Sequence, residues 1–72
     1  MEKITFKLQA ESTFIPLIHL LKAVNIVESG SEAQTVVVAG MVSRNGFVEL
    51  RKRAKIVSGD VVVFQQFEIT VI

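Results

Sequence analysis

The sequence predicts an α+β fold in one small domain, with an N-terminal strand, two short helices and then mostly antiparallel sheet, βααββββ in order. Three observations carry this prediction. Ile4, Phe6 and Leu8 alternate with Thr5 and Lys7, the period of two expected of a half-buried strand. Leu17, Leu20, Leu21 and Val24 recur at i, i+3, i+4 and i+7, which is one apolar stripe on a helix. Beyond residue 40 the chain becomes short β-rich runs separated by turn residues. With 72 residues there is material for a single core, so one domain spans 1–72. Half of the residues are hydrophobic, too many for a chain that stays disordered.

The elements follow in order. Thr13 is the expected cap of the first helix, with Pro16 in its first turn, where a missing amide does little harm. Asn25 marks the expected end of that helix. Ser29-Gly30-Ser31-Glu32 reads as a capping box, in which Ser29 accepts from the Glu32 amide and the Glu32 carboxylate returns to the Ser29 amide. Thr35-Val36-Val37-Val38 is β-branched throughout and pulls toward strand, but only by tenths of a kcal/mol per residue, about what a good cap offsets. A short helix over 30–39, ending at Gly40, is therefore expected. Asn45-Gly46 between Met41–Arg44 and Phe47–Leu50 is a strong hairpin signal, because a type I′ turn needs positive φ at both central residues. Ser58-Gly59-Asp60 is a second turn, leading into Val61–Phe64. Gln65-Gln66 reverses the chain into 67–72, although neither residue favours turns.

Little in this chain suggests catalysis. It has no cysteine and a single histidine, His19, placed about 200° around the helix from Leu17 and so away from the apolar stripe. No second His or Cys completes a metal site or a nucleophile and base. The carboxylates are scattered, with Glu32 explained by capping and Asp60 by its turn. Gly40, Gly46 and Gly59 lie in separate turns and form no phosphate-cradling loop. The final Thr-Val-Ile lacks the Gly-Gly end of a sulfur carrier. No apolar run approaches the ~20 residues of a membrane span, and the first residues do not read as a signal peptide. No enzyme activity, cofactor, small-molecule substrate or membrane contact is expected, and the cytoplasm is the expected compartment for a small domain without disulfides.

The charge distribution is more informative than its total. Net charge is +1, yet five of the eight Lys and Arg residues fall within positions 44–55, where Glu49 is the only acid. In an extended chain Arg51, Arg53 and Lys55 would point to one side about 6–7 Å apart, comparable to successive phosphates. The expected partner is a polyanion, with Arg44, Arg51, Lys52, Arg53 and Lys55 as its ligands and Lys22 at the flank. Asn45 and Gly46 would shape the loop that holds them, and backbone amides near Ser29 and Gly30 could add an anion site. All five aromatics are Phe, with no Tyr or Trp, and Phe6 and Phe64 look like core, so base stacking is not expected to dominate. A rival reading is a protein-interaction module that works through the apolar run Phe64, Phe67, Ile69, Val71 and Ile72. A monomer is expected, because so small a core needs those residues inside.

In sum, these residues resemble the S-four RNA-binding domain family. The likeness runs through Leu17-Ile18-His19-Leu20-Leu21-Lys22, Ser29-Gly30-Ser31-Glu32-Ala33 and Gly40-Met41-Val42-Ser43-Arg44-Asn45-Gly46. It continues with Glu49-Leu50-Arg51-Lys52-Arg53-Ala54-Lys55 and Val57-Ser58-Gly59-Asp60. The match covers roughly 13–64, and the Arg-Lys-Arg-x-Lys run is similar to the small stand-alone YbcJ-like branch. The resemblance implies a helical Val36–Ala39 and a positively charged surface for structured RNA formed by the two helices and the hairpin. Many family members carry Arg after the Ser and after the Ala of the second helix, where this chain has Gly30 and Gln34. Its second helix should therefore add little charge, leaving the burden on 44–55.

Overall fold

The computed structural model describes all residues, Met1–Ile72. Seven strands and two helices follow one another as β1 (Glu2–Phe6), β2 (Ile15–Pro16), α1 (Leu17–Ala23), α2 (Gly30–Val38), β3 (Val42–Arg44), β4 (Phe47–Val48), β5 (Lys55–Ile56), β6 (Val61–Phe64) and β7 (Phe67–Val71). Five strands form one sheet in the order β1-β7-β6-β3-β4, while β2 and β5 pair separately. The expected α+β order is borne out, with the β2–β5 ribbon as an addition.

Register explains the core. Directly paired residues share a face of a sheet. The pairs Ile4↔Ile69, Phe6↔Val71, Val62↔Ile69 and Val42↔Phe64 place these apolar side chains together. The helices cover that face with Leu17, Ile18, Leu20, Leu21, Ala33, Val36 and Val37, all buried. The opposite face carries Lys3, Ser43, Val48, Val63 and Glu68, paired across the strands as Lys3↔Glu68, Val63↔Glu68, Ser43↔Val63 and Ser43↔Val48. β1 lies parallel to β7, joining the two ends of the chain, whereas every other pairing in the sheet is antiparallel. β7 is thus an interior strand with Ile69 and Val71 fully buried.

Two expectations about helix starts are corrected. Thr13 does not cap α1; Pro16 holds the cap position in extended conformation, at φ −60° and ψ 141°, with no side-chain cap. The reason is tertiary. Ile15 and Pro16 pair with Ile56 and Lys55, and the first helical amides donate to the basic segment, Leu17 N to the Ala54 carbonyl at 2.9 Å and Ile18 N to the Lys52 carbonyl at 3.1 Å. At α2, Ser29 Oγ accepts from Glu32 N at 3.1 Å, as expected, but the Glu32 carboxylate accepts from Glu28 N at 2.7 Å rather than from Ser29.

Both helices end alike. Gly40 N donates to the Val37 carbonyl and Met41 N to the Val36 carbonyl, while Asn25 N and Ile26 N do the same to Lys22 and Leu21. This double bond pattern needs a left-handed residue just past the helix, supplied by Gly40 at φ 77° and Asn25 at φ 62°. The β-branched run therefore stays helical between a good cap and a good stop. The hairpin turn has φ 53° at Asn45 and 88° at Gly46, the signs a type I′ turn requires. Gln65 adopts φ 54° in the β6–β7 turn, despite being a poor turn former.

Candidate nucleic-acid interface

The basic segment is not an extended strand, contrary to expectation. Ala54 N donates to the Arg51 carbonyl at 3.1 Å and closes a turn at Lys52 and Arg53, while Ala54 is buried at the start of α1. An extended run could not sink Ala54 and also place two carbonyls on the amides of α1. The turn still gathers charge, because Arg44, Arg51, Arg53 and Lys55 line one concavity of about 380 Å³. Lys52 points elsewhere and lines a second hollow with Gln34, Thr35, Val38 and Ala39 of α2 and its end.

The four cations of the concavity are held differently. Arg44 is anchored: Nε and Nη2 donate to Asp60 Oδ2 at 3.1 and 2.8 Å, and Nη2 also donates to the Lys55 carbonyl at 2.8 Å. Its Nη1 lies 3.7 Å from Glu49 Oε1. Arg51, largely exposed, forms a two-point pair with Glu49, Nε to Oε2 at 3.0 Å and Nη2 to Oε1 at 3.1 Å. Arg53 has no acidic partner. Lys55 has none either, and its Nζ sits 5.1 Å from the centroid of the Phe14 ring, a cation–π contact. Five cations over 44–55 face only Glu49 and Asp60, so the region stays positive.

Asp60 organises this region. It is 7% exposed and its carboxylate accepts from Arg44, from Asn45 Nδ2 at 2.9 Å and from Val57 N at 2.8 Å. Asn45 Oδ1 in turn accepts from Val61 N at 2.8 Å. Burial raises the carboxyl of Asp60, but the hydrogen bonds from Val57, Asn45 and Arg44 more than reverse this and hold it below the usual range. Glu49 is also held low, chiefly by the hydrogen bond from Arg51, against the opposing effect of burial. The same bond raises Arg51 above its ordinary value.

Of the residues singled out from sequence, Arg44, Arg51, Arg53 and Lys55 come together, with Asn45 and Gly46 forming the turn beside them. Lys52 and Lys22 line other surfaces; Lys22 is exposed on the last turn of α1. Ser29 is occupied by its cap, and the carboxylate of Glu32 lies at the same helix start, so the α2 N-terminus already holds an anion of its own. Sequence reading missed the organising role of Asp60. The Asn45 N to Val61 carbonyl bond at 2.8 Å, which follows from the β3–β6 register, is what brings Asp60 to Arg44.

The βααββββ order, the capped second helix, the Asn-Gly hairpin and the basic turn together define a known class, and residues 6–72 match the S4 domain family, to which the chain belongs. Among its relatives is YbcJ of Escherichia coli (strain K12), provisionally named as an RNA-binding protein. It is 40% identical over 58 residues, covering 81% of this chain and 83% of the relative. YbcJ of Shigella flexneri matches to the same extent. The solution structure of the E. coli protein, described as revealing an αL motif involved in RNA binding, is similar with a TM-score of 0.73 and 38% identity, covering 94% of this chain and 85% of that one.

Proposed function

We propose that the protein is a non-enzymatic RNA-binding module that docks, as a monomer in the cytoplasm, on the phosphate backbone of a folded RNA. The observation that carries this reading is the concavity lined by Arg44, Arg51, Arg53 and Lys55. Arg53 and Lys55 are free to meet phosphates. Arg51, itself 74% exposed, exchanges its Glu49 partner for a phosphate with the same two-point geometry. Arg44 gives positive potential but is held as a strut. Binding by phosphate spacing and shape suits helical RNA, whose deep major groove hides its bases. The description of the similar solution structure as RNA-binding supports the same reading. The interaction-module alternative loses most of its surface, because β7 is interior and Phe64, Ile69 and Val71 are in the core, leaving Phe67 half-buried and only Ile72 exposed.

The test is a comparison of two charge reversals on a labelled RNA hairpin. Changing Arg51, Arg53 and Lys55 together to Glu is expected to weaken binding by orders of magnitude. Changing Lys3 and Lys7 to Glu, on and beside β1, is expected to weaken it far less. Equal losses from both sets would mean diffuse attraction and no site. Wild-type binding by both would end the RNA reading.

A further inference from the structure

We infer that Phe47 is a stacking platform for one unpaired base of the bound RNA, placed beside the cationic concavity. The inference rests on the RNA reading above and adds a feature of the RNA that phosphate contacts alone do not specify.

Phe47 is 79% exposed, the most solvent-accessible of the large hydrophobic residues. The remaining phenylalanines have occupied rings. Phe64 is buried, Phe6 packs against the core and Phe67 is half-buried. Phe14 lines a cleft with Phe6 and Leu8, and the Lys55 ammonium lies over its ring. Phe47 has no such cover, and no cation sits on its face.

Its position is set by register. Phe47 pairs with Arg44 across β3 and β4, so the two side chains leave the same face of the sheet. Arg44 lines the cationic concavity. Next along the strand, Val48 pairs with Ser43 and leaves the opposite face. The exposed aliphatic residues Val48 and Leu50 gather near Gly40, so Phe47 does not belong to that apolar patch. It is the one residue of the edge strand on that face, at the foot of the Asn-Gly turn and paired with one of the cations that line the concavity. A protein partner seated on Phe47 would have to bury those cations or meet them with acids. A nucleotide strand supplies both requirements in one unit, with phosphate for the cations and a flat base for the ring. Base–aromatic stacking tolerates any base, since every base has a π-face. The ligand is therefore an RNA with an unpaired nucleotide, as in a bulge or loop, next to a helical segment.

The test uses a labelled hairpin RNA carrying one bulged nucleotide and its fully paired counterpart, with Phe47→Ala, Phe47→Leu and Phe47→Trp. Wild type should prefer the bulged RNA. Phe47→Ala should bind the bulged RNA about 10-fold or more weaker and the paired RNA unchanged. Phe47→Leu, which keeps apolar bulk without a ring, should behave like Phe47→Ala. Phe47→Trp should restore binding, and its indole would be the sole Trp in the chain, so fluorescence quenching on the bulged RNA reports stacking directly. Unchanged melting temperatures by circular dichroism are expected, because the ring touches no core. The inference is overturned if Phe47→Ala binds the bulged RNA like wild type, if Phe47→Leu matches wild type, or if the loss is equal on both RNAs. Its failure is separable from failure of the RNA reading. In the first case, Glu substitution at Arg51, Arg53 and Lys55 still abolishes binding to both RNAs; in the second, wild type binds neither, and stacking falls with it.

Discussion

Asp60→Ala is expected to destabilise the domain more than removal of any cation in the concavity. The substitution deletes a carboxylate that accepts from Val57 N, Asn45 Nδ2 and two nitrogens of Arg44. It strands the Val57 amide and leaves the Arg44 guanidinium, 22% exposed, with only the longer contact to Glu49 and its bond to the Lys55 carbonyl. Breaking a fully buried pair by removing one partner costs about 3–5 kcal/mol. Arg44 retains partial access to water, so about 2–3 kcal/mol is the expected loss, the cost of orphaned donors plus a weakened charge. For a domain of this size that loss lowers Tm by about 10–20 °C. The assay is urea and thermal unfolding at neutral pH followed by far-ultraviolet circular dichroism, since the chain has no Trp or Tyr to report by fluorescence. The pH dependence has a definite sign. Because the carboxyl of Asp60 is held below its ordinary value, its contribution is present above the unfolded pKa, about 3.9, and is lost as pH falls through the lower folded value. Wild type should lose stability in that acidic window, and Asp60→Asn should be less sensitive there. A Tm drop below about 3 °C for Asp60→Ala would refute the reasoning, since it would mean that water replaces the carboxylate at almost no cost.

Ser29→Ala removes the acceptor for Glu32 N and should cost about 1 kcal/mol in urea unfolding. Gly46→Val should cost about 1–3 kcal/mol through the backbone alone, because φ is 88° but a Cβ there would meet no atom within 4 Å. Binding to an RNA hairpin should weaken with salt. With Arg51, Arg53 and Lys55 as the phosphate ligands, log affinity against log salt should slope by about −2 to −3, at roughly 0.7–0.9 per contact. A slope near zero in a salt titration would contradict phosphate docking.

Local chemistry was legible in the sequence where it acts within a few residues. The Ser29 cap, the Gly40 stop and the Asn45-Gly46 turn each satisfy backbone groups nearby, so spacing alone located them. The first helix begins three residues later than Thr13 suggests, because its start is determined from a distance by carbonyls of residues 52 and 54. The parallel pairing of β1 with β7 was illegible for the same reason: alternation in Ile4, Phe6 and Leu8 shows that a strand has one buried face but names no partner. For the candidate site, sequence showed how many cations cluster but not which are free. That depends on Glu49 and Asp60, whose reach is decided by tertiary contacts.

The partition of the cations has a physical logic. A cluster of like charges repels itself, and four cations over 51–55 with Arg44 of β3 beside them would splay the loop unless something held them. Asp60 neutralises Arg44 where burial makes a charge expensive and pins it to the Lys55 carbonyl, turning one cation into a strut. Glu49 is largely buried, but the Arg51 side chain it holds is 74% exposed, so a phosphate can reach that cation while Glu49 keeps its contact with Arg44. Arg53 and Lys55 then remain on a loop whose backbone is fixed by α1 and whose shape costs no ordering on binding. The two acids therefore do not merely subtract from the positive charge. One gives the concavity its rigidity, and the other keeps a bidentate donor oriented until an anion replaces it.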